Sequence, residues 1–265
     1  MMHVIVCIKQ VPDTAEVRKV QINPDTGTIV REGIPSILNP FDEYAVEEAV
    51  RIKEKHGGKV TLVSMGPAQA EDALLKALSM GADEAILLCD RAFAGADTLA
   101  TAYTLSAAVK KIGQFDLILC GQQAIDGDTG QVGPSLAEHL NIPQVTYVNQ
   151  VEIQGQKMKA RREVEGGYED LECRLPALIA VVKGINEPRI PTFSNLAEAM
   201  EKGIRTWGAD DLMVEEDRIG LAGSPTWVMG IWTPEAKRSG QIIGEAPEEA
   251  VQKLTIFLRQ KGILS

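Results

Sequence analysis

Over the first two thirds of the chain, short apolar runs alternate with stretches of helical periodicity. His3–Lys9 reads as a buried strand. Phe41–Lys55 reads as a helix, with Tyr44, Ala45, Val46, Ala49, Val50 and Ile52 forming its apolar stripe. Lys59–Met65 is a strand, and Ala68–Met80 is a helix closed by Gly81. Glu84–Cys89 is a strand, and Thr98–Ile112 a helix closed by Gly113. Asp116–Cys120 is a strand followed by a Gly-rich turn and a helix over Pro134–Leu140. Strands that alternate with helices predict parallel βαβ units: an α/β fold with a doubly wound, mostly parallel, Rossmann-like sheet. Ligands of such sheets bind beyond the carboxyl ends of the strands.

The pattern changes near Val145. Val148–Ile153 and Lys157–Glu163 read as a β-ribbon around Gln154-Gly155, and Leu175–Val182 as a further strand. Lys157, Lys159, Arg161 and Arg162 read as a solvated strand face. Residues 184–265 are rich in Pro and Gly and hold all three tryptophans, Trp207, Trp227 and Trp232. Before a helix over Pro247–Lys261, this segment shows little core of its own. Exposed Trp and Met on a long arm suit a partner-wrapping segment. The expected organisation is a nucleotide-binding domain over 1–183 and a C-terminal arm with its helix over 184–265.

Bulk properties narrow the function. The net charge is −10, which opposes a nucleic-acid surface. No apolar run approaches the roughly 20 residues of a membrane helix, and the start lacks the pattern of a signal peptide. Cys7, Cys89, Cys120 and Cys173 are widely spaced and predict free thiols in a reducing cytoplasm. His3, His56 and His139 show no metal-ligand spacing. No metal site and no catalytic acid, base or nucleophile is expected.

The strand ends carry the candidate chemistry. The richest segment is Gly121-Gln122-Gln123-Ala124-Ile125-Asp126-Gly127-Asp128-Thr129-Gly130-Gln131-Val132-Gly133. A Gly-rich turn entering a helix brings backbone N–H groups to the positive end of the helix dipole, where phosphate binds. The segment is neither a P-loop, having no Lys, nor a Gly-x-Gly-x-x-Gly fingerprint. Asp126 and Asp128 would repel phosphate and suit sugar hydroxyls or a helix cap. The alternative is an ordinary βα loop capped by Asp128 or Thr129. Met65-Gly66 and Asp97 fall at other strand ends. Asp97 reads as a helix cap, with Thr98 and Thr101 on one face of the first turn.

These residues resemble the β subunit of electron-transferring flavoproteins (ETF). The resemblance rests on Val6-Cys7-Ile8-Lys9-Gln10-Val11-Pro12-Asp13, on Asn39-Pro40-Phe41 with Ala45-Val46-Glu47-Glu48-Ala49, and on Met65-Gly66-Pro67. Gln123–Asp128 adds to it, as does the spacing of Arg162, Glu165-Gly166-Gly167, Glu169, Leu171, Pro176 and Leu178-Ile179-Ala180. The resemblance implies an obligate heterodimer with an α subunit that carries FAD. It also implies an adenine-nucleotide site in this chain at Cys7, Asn39, Pro40, Phe41, Asp42, Met65 and Gln122 to Gly133. Most members hold AMP there.

Ala92–Thr101, Gly127–Pro134 and Gly223-Ser224-Pro225-Thr226 resemble the electron-bifurcating branch. That branch holds FAD in the β site, takes electrons from NADH, and serves ferredoxin or flavodoxin and an acyl-CoA dehydrogenase. No Lys or Arg occurs from Gly113 to Ile153, so amides and helix ends must carry much of the phosphate charge. After Asn186-Glu187-Pro188-Arg189 the family has a leucine-bearing loop and a lysine-rich run that dock the dehydrogenase. Here Phe193 and Leu196-Ala197-Glu198-Ala199-Met200-Glu201 replace them. Two other readings remain: an ETF β subunit with structural AMP, and a stand-alone adenine-nucleotide protein.

Overall fold

The computed structural model describes residues 1–13, 21–22, 29–30, 35–229, 240 and 242–264. They divide into two units, Met1–Met229 and Gly230–Ser265. In the first unit, β1 (Met2–Cys7) lies at the centre of the main sheet. Two small antiparallel pairs follow in the chain: β2 (Gln10–Pro12) with β5 (Ser36–Leu38), and β3 (Gln21–Ile22) with β4 (Ile29–Val30). Then come α1 (Pro40–His56), β6 (Gly58–Met65), α2 (Glu71–Ser79), β7 (Glu84–Leu88), α3 (Thr98–Ile112), β8 (Leu117–Gly121) and α4 (Val132–Leu140). The chain continues through β9 (Gln144–Gln154), β10 (Lys157–Val164), β11 (Gly167–Arg174), β12 (Ala177–Val181), α5 (Phe193–Lys202), β13 (Arg205–Trp207) and α6 (Ala209–Leu212).

The strand order is β11-β10-β9-β12-β8-β1-β6-β7-β13. From β9 to β13 every neighbouring pair is parallel; β10 and β11 continue the sheet antiparallel. Period-two alternation splits each central strand between two cores. Val4, Val6, Leu117 and Leu119 pack with α1 and α2, whereas Ile5, Cys7, Ile118 and Cys120 pack with α3 and α4. Continuous apolar runs in these strands follow from burial on both faces. The structure thus has the doubly wound α/β class that the pattern predicts.

Three elements depart from the pattern. Strand β11 was hidden because almost all of it is exposed, so no apolar alternation marks it. It is held by the ladder to β10 and by Lys157–Glu172, Arg161–Asp170 and Arg162–Glu169 ion pairs. Helix α5 begins with a reciprocal cap between Thr192 and Asn195 and buries only Ala199. Strand β13 adds a short parallel edge to β7. Residues 184–229 therefore contribute two helices, α5 and the short α6, and a strand to the sheet unit. The second unit begins at Gly230. There α7 (Pro247–Gln260) is amphipathic, buries none of its residues and exposes Val251, Leu254, Ile256 and Phe257. Trp207 is half-buried beneath Lys111, and Trp227 is exposed. Ile231 and Trp232 lie outside the described residues.

Candidate nucleotide site

The strand order contains one reversal. From β1 the chain builds outward through β6 and β7, then crosses back to put β8 on the other side of β1. Cys7 is in register with Val63 and with Cys120, and Met65 with Leu88. The carboxyl ends of β1, β6, β7 and β8 therefore share one rim. The β1/β8 boundary is the topological switch point, where open α/β sheets take their ligands.

The first turn of α1 closes that boundary. Buried Asp42 accepts the N–H of Lys9 at 2.7 Å and the N–H of Gly121 at 3.1 Å. Asn39 donates to the Gln123 carbonyl at 2.9 Å and accepts the Ile125 N–H at 3.2 Å. Lys9 Nζ donates to both oxygens of Asp126, each at 2.7 Å. Cys7, Asn39, Pro40, Phe41, Asp42 and Gln122 to Asp126 thus form one connected patch. Met65-Gly66 follows β6 on the same rim, with the Gly66 N–H on the Leu88 carbonyl. A Cβ on Gly133 would stand 2.9 Å from Cys120 Sγ, so glycine there lets α4 seat on β8. Burial pushes the Asp42 carboxyl up to about 7 against the pull of its hydrogen bonds to Asn39, Lys9 and Gly121. Burial, then the Asp42 charge, pushes Cys7 up to about 12; burial also holds Cys120 well above the usual thiol range. Both thiols are protonated and inert as nucleophiles.

The second patch lies where α3 and α4 begin. Asp97 caps α3 as expected, its Oδ1 accepting the Leu99 and Ala100 N–H groups at 2.9 and 3.1 Å. Neither Asp128 nor Thr129 caps α4. Gln131 occupies the cap position without a side-chain cap bond, because Asp128 turns back to Gln123 in a left-handed conformation (φ 55°). The Asp128 N–H closes that turn on the Ala124 carbonyl at 2.8 Å. Gly127 and Thr129 are exposed, and Gly130 takes φ 62° just before the helix. Thr98 Oγ1 donates to Gln131 Oε1 at 3.2 Å and so joins the two helix starts. Thr101 lies one turn further along α3, half-buried.

This donor set fits an anionic nucleotide. Asp126 is ion-paired to Lys9, and Asp128, though exposed, accepts from the Gln123 amide and so is turned back onto the loop. The first-turn amides of Val132 and Gly133 have no side-chain cap, and Pro134 has no N–H to satisfy. Uncharged Thr98 and Gln131 border them.

Comparisons with known proteins give the family. Residues 26–212 match the electron transfer flavoprotein domain. The chain belongs to the electron transfer flavoprotein family. It is a β subunit, the member that pairs with an α subunit. It is 53% identical to electron transfer flavoprotein subunit beta of Thermoanaerobacterium thermosaccharolyticum, over 99% of this chain and 100% of that one. It is 46% identical to the caffeyl-CoA reductase-Etf complex subunit CarD of Acetobacterium woodii, over 99% and 100%. It is also 46% identical to protein FixA of Azorhizobium caulinodans, over 89% and 86%. The chain thus serves electron transfer as an ETF β subunit. Among the described residues no helix is long and apolar enough to cross a membrane.

Two features of this ETF subunit were missed in the pattern of its residues. Lys9 brings a cation to a loop that has none of its own, from 117 positions away. Its one signal is its position just past a central strand. Ser224 and Thr226 reach Asp97 from a segment without a strong pattern. At the departure near residue 193, α5 turns Phe193, Leu196 and Met200 outward.

Proposed function

We propose that this ETF β subunit binds FAD at the rim of β1, β8, α3 and α4 and takes electrons from NADH for bifurcation. One branch would lead to a low-potential acceptor such as ferredoxin or flavodoxin. The other would lead through the α-subunit FAD to an acyl-CoA dehydrogenase. The observation that carries the reading is the uncapped start of α4, joined by Gln131 to Thr98 on α3. A mouth spanning two helix starts has room for more phosphate contacts than a single capped loop. Its amides and hydroxyls match a neutral-donor phosphate site. The likeness to CarD, whose printed name places it in a caffeyl-CoA reductase complex, supports an acyl-CoA-linked partner.

The flavin would supply the exchange between two-electron and one-electron chemistry. The chain's own part is to hold and orient it. Asn39 and Lys9 brace the 122–126 loop, and Asp42 joins the ends of β1 and β8. Cofactor release from the co-expressed αβ dimer tests the reading. Two FAD and no AMP per dimer are expected, with flavin bleaching on addition of NADH. One FAD and one AMP, unchanged after FAD is added back, would overturn it in favour of a structural-nucleotide subunit.

A further inference from the structure

The segment from Glu215 to Thr226 lies as a strap across the loop before α3. Ile219 is buried, the Glu215 N–H meets Tyr103 Oη at 3.3 Å, and the Arg218 guanidinium stacks 3.9 Å from the Tyr103 ring centroid. Gly220 and Gly223 allow backbone contact: an added Cβ would come within 2.0 Å of the Ala92 carbonyl oxygen and 2.1 Å of the Arg218 carbonyl carbon, respectively. The Gly220, Ile219 and Tyr103 contacts seat the strap apart from its last residues, while Gly223 packs within the strap itself.

Those last residues converge on Asp97, Thr226 on its carboxylate and Ser224 on its backbone N–H. Thr226 gives both its N–H (3.1 Å) and its hydroxyl (2.8 Å) to Asp97 Oδ2. Ser224 Oγ accepts the Asp97 N–H at 2.8 Å and donates to the Gly220 carbonyl at 2.7 Å. Asp97 Oδ1 is already spent on the α3 cap. Both oxygens are therefore occupied, one by the helix and one by the strap.

We propose that Thr226 is a positioning residue for nucleotide binding: it draws the free oxygen of Asp97 away from the mouth beside Thr98, so that the phosphates do not face an unscreened carboxylate. The inference rests on the reading that phosphates bind at the starts of α3 and α4. A carboxylate adjoining a phosphate site costs affinity through like-charge repulsion, and that cost is screened by salt. Burial pushes the Asp97 carboxyl up, and the hydrogen bonds from the helix amides and Thr226 outweigh it and hold the group below the usual carboxylate range.

The test uses Thr226→Val, Thr226→Ala and Thr226→Ser in the αβ dimer, with FAD and AMP as probes. Thr226→Val and Thr226→Ala should weaken binding of the preferred nucleotide about ten- to a hundredfold at low salt, as expected for a lost bond to a charged group. The loss should shrink severalfold at high salt. Thr226→Ser, which keeps the hydroxyl, should bind as the wild type does. In the nucleotide-free dimer, Leu99 and Ala100 amides should exchange about three- to tenfold faster in Thr226→Val at unchanged melting temperature. Binding within twofold of wild type for both apolar variants, or a loss independent of salt, overturns the inference. Thr98→Ala and Gln131→Ala separate the two levels. If they weaken binding and Thr226→Val does not, the positioning role fails alone. If they too leave binding unchanged, the phosphate reading fails, and the exchange rates still decide whether Thr226 fixes Asp97.

Discussion

Alanine at Gly121 probes the contact on which the switch point depends. A Cβ there would lie 2.5 Å from Asp42 Oδ1, 2.6 Å from Phe41 Cβ and 2.7 Å from the Phe41 carbonyl carbon. None of these atoms is the far end of a flexible chain. The first turn of α1 would have to retreat from β8, and the Gly121 N–H would leave Asp42. Overpacking of this kind costs about 1–3 kcal/mol, and a hydrogen bond to a buried charged group about 1.5–3 kcal/mol. The two losses share one displacement, so a combined loss of about 3–4 kcal/mol is expected. At about 2–4 °C per kcal/mol for a unit of this size, the melting temperature should fall by roughly 6–16 °C. Gly127→Ala is the control. Its Cβ would meet nothing within 4 Å, and its backbone is outside the left-handed region. It should stay within about 0.5 kcal/mol of wild type. Thermal and urea unfolding of both variants give the answer. A Gly121→Ala melting temperature within about 2 °C of wild type, or an equal fall in Gly127→Ala, would refute the packing argument.

Two more predictions concern buried charge. The folded-state value of Asp42, about 7, lies above that of an unfolded aspartate, so the folded chain keeps a proton that the unfolded chain loses. Asp42 therefore lowers stability as pH rises from about 4 to about 7, by at most about 1.4 kcal/mol per pH unit, and adds no further slope above that window. Asp42→Asn should remove this slope, and parallel stability–pH curves for the two proteins would refute it. Arg189 binds Glu47, whose side chain is 3% exposed, and Glu54, and so fixes the segment leading to α5. Arg189→Ala should cost about 2 kcal/mol, less than a wholly uncompensated buried charge because Arg51 still serves Glu47. Arg189→Lys should recover only part of it, since an ammonium cannot serve both carboxylates as a planar fork does. Urea titrations check both, and an alanine variant within about 0.5 kcal/mol of wild type would refute the clamp.

Much of this fold was legible because burial writes periodicity into the chain. Val4, Val6, Ile5 and Cys7 face two different cores, so β1 reads as an unbroken apolar run, and α3 was delimited at Asp97 and Gly113 by its caps. What was not legible in the elements rests on contacts that leave no mark on the apolar pattern. Strand β11 is specified by cross-strand charges on β10, and α5 buries a single alanine. Neither writes an apolar period. The candidate site was legible as a set of strand ends, since parallel topology sends them to one rim. Its charge balance was not, because Lys9 meets Asp126 and Thr226 meets Asp97 only after folding.

That charge balance decides where an anion can go. Four helices open on or near the rim, and each helix start attracts negative charge. The first turn of α1 delivers Asp42 to the amides of Lys9 and Gly121, so an acidic side chain of the chain already fills the switch point. The start of α2 carries Glu71 and Asp72, and that of α3 is capped by Asp97. Only α4 begins with no side-chain cap and no acid in its first turn, while the acids in the loop before it are turned back onto Lys9 and Gln123. A phosphate at α1, α2 or α3 would compete with a fixed carboxylate. At α4 it would meet the amides of Val132 and Gly133, with Thr98 and Gln131 beside them. On the proposed reading, the distribution of acids among the helix starts, more than the glycines of the turn, would direct a nucleotide to the junction of α3 and α4.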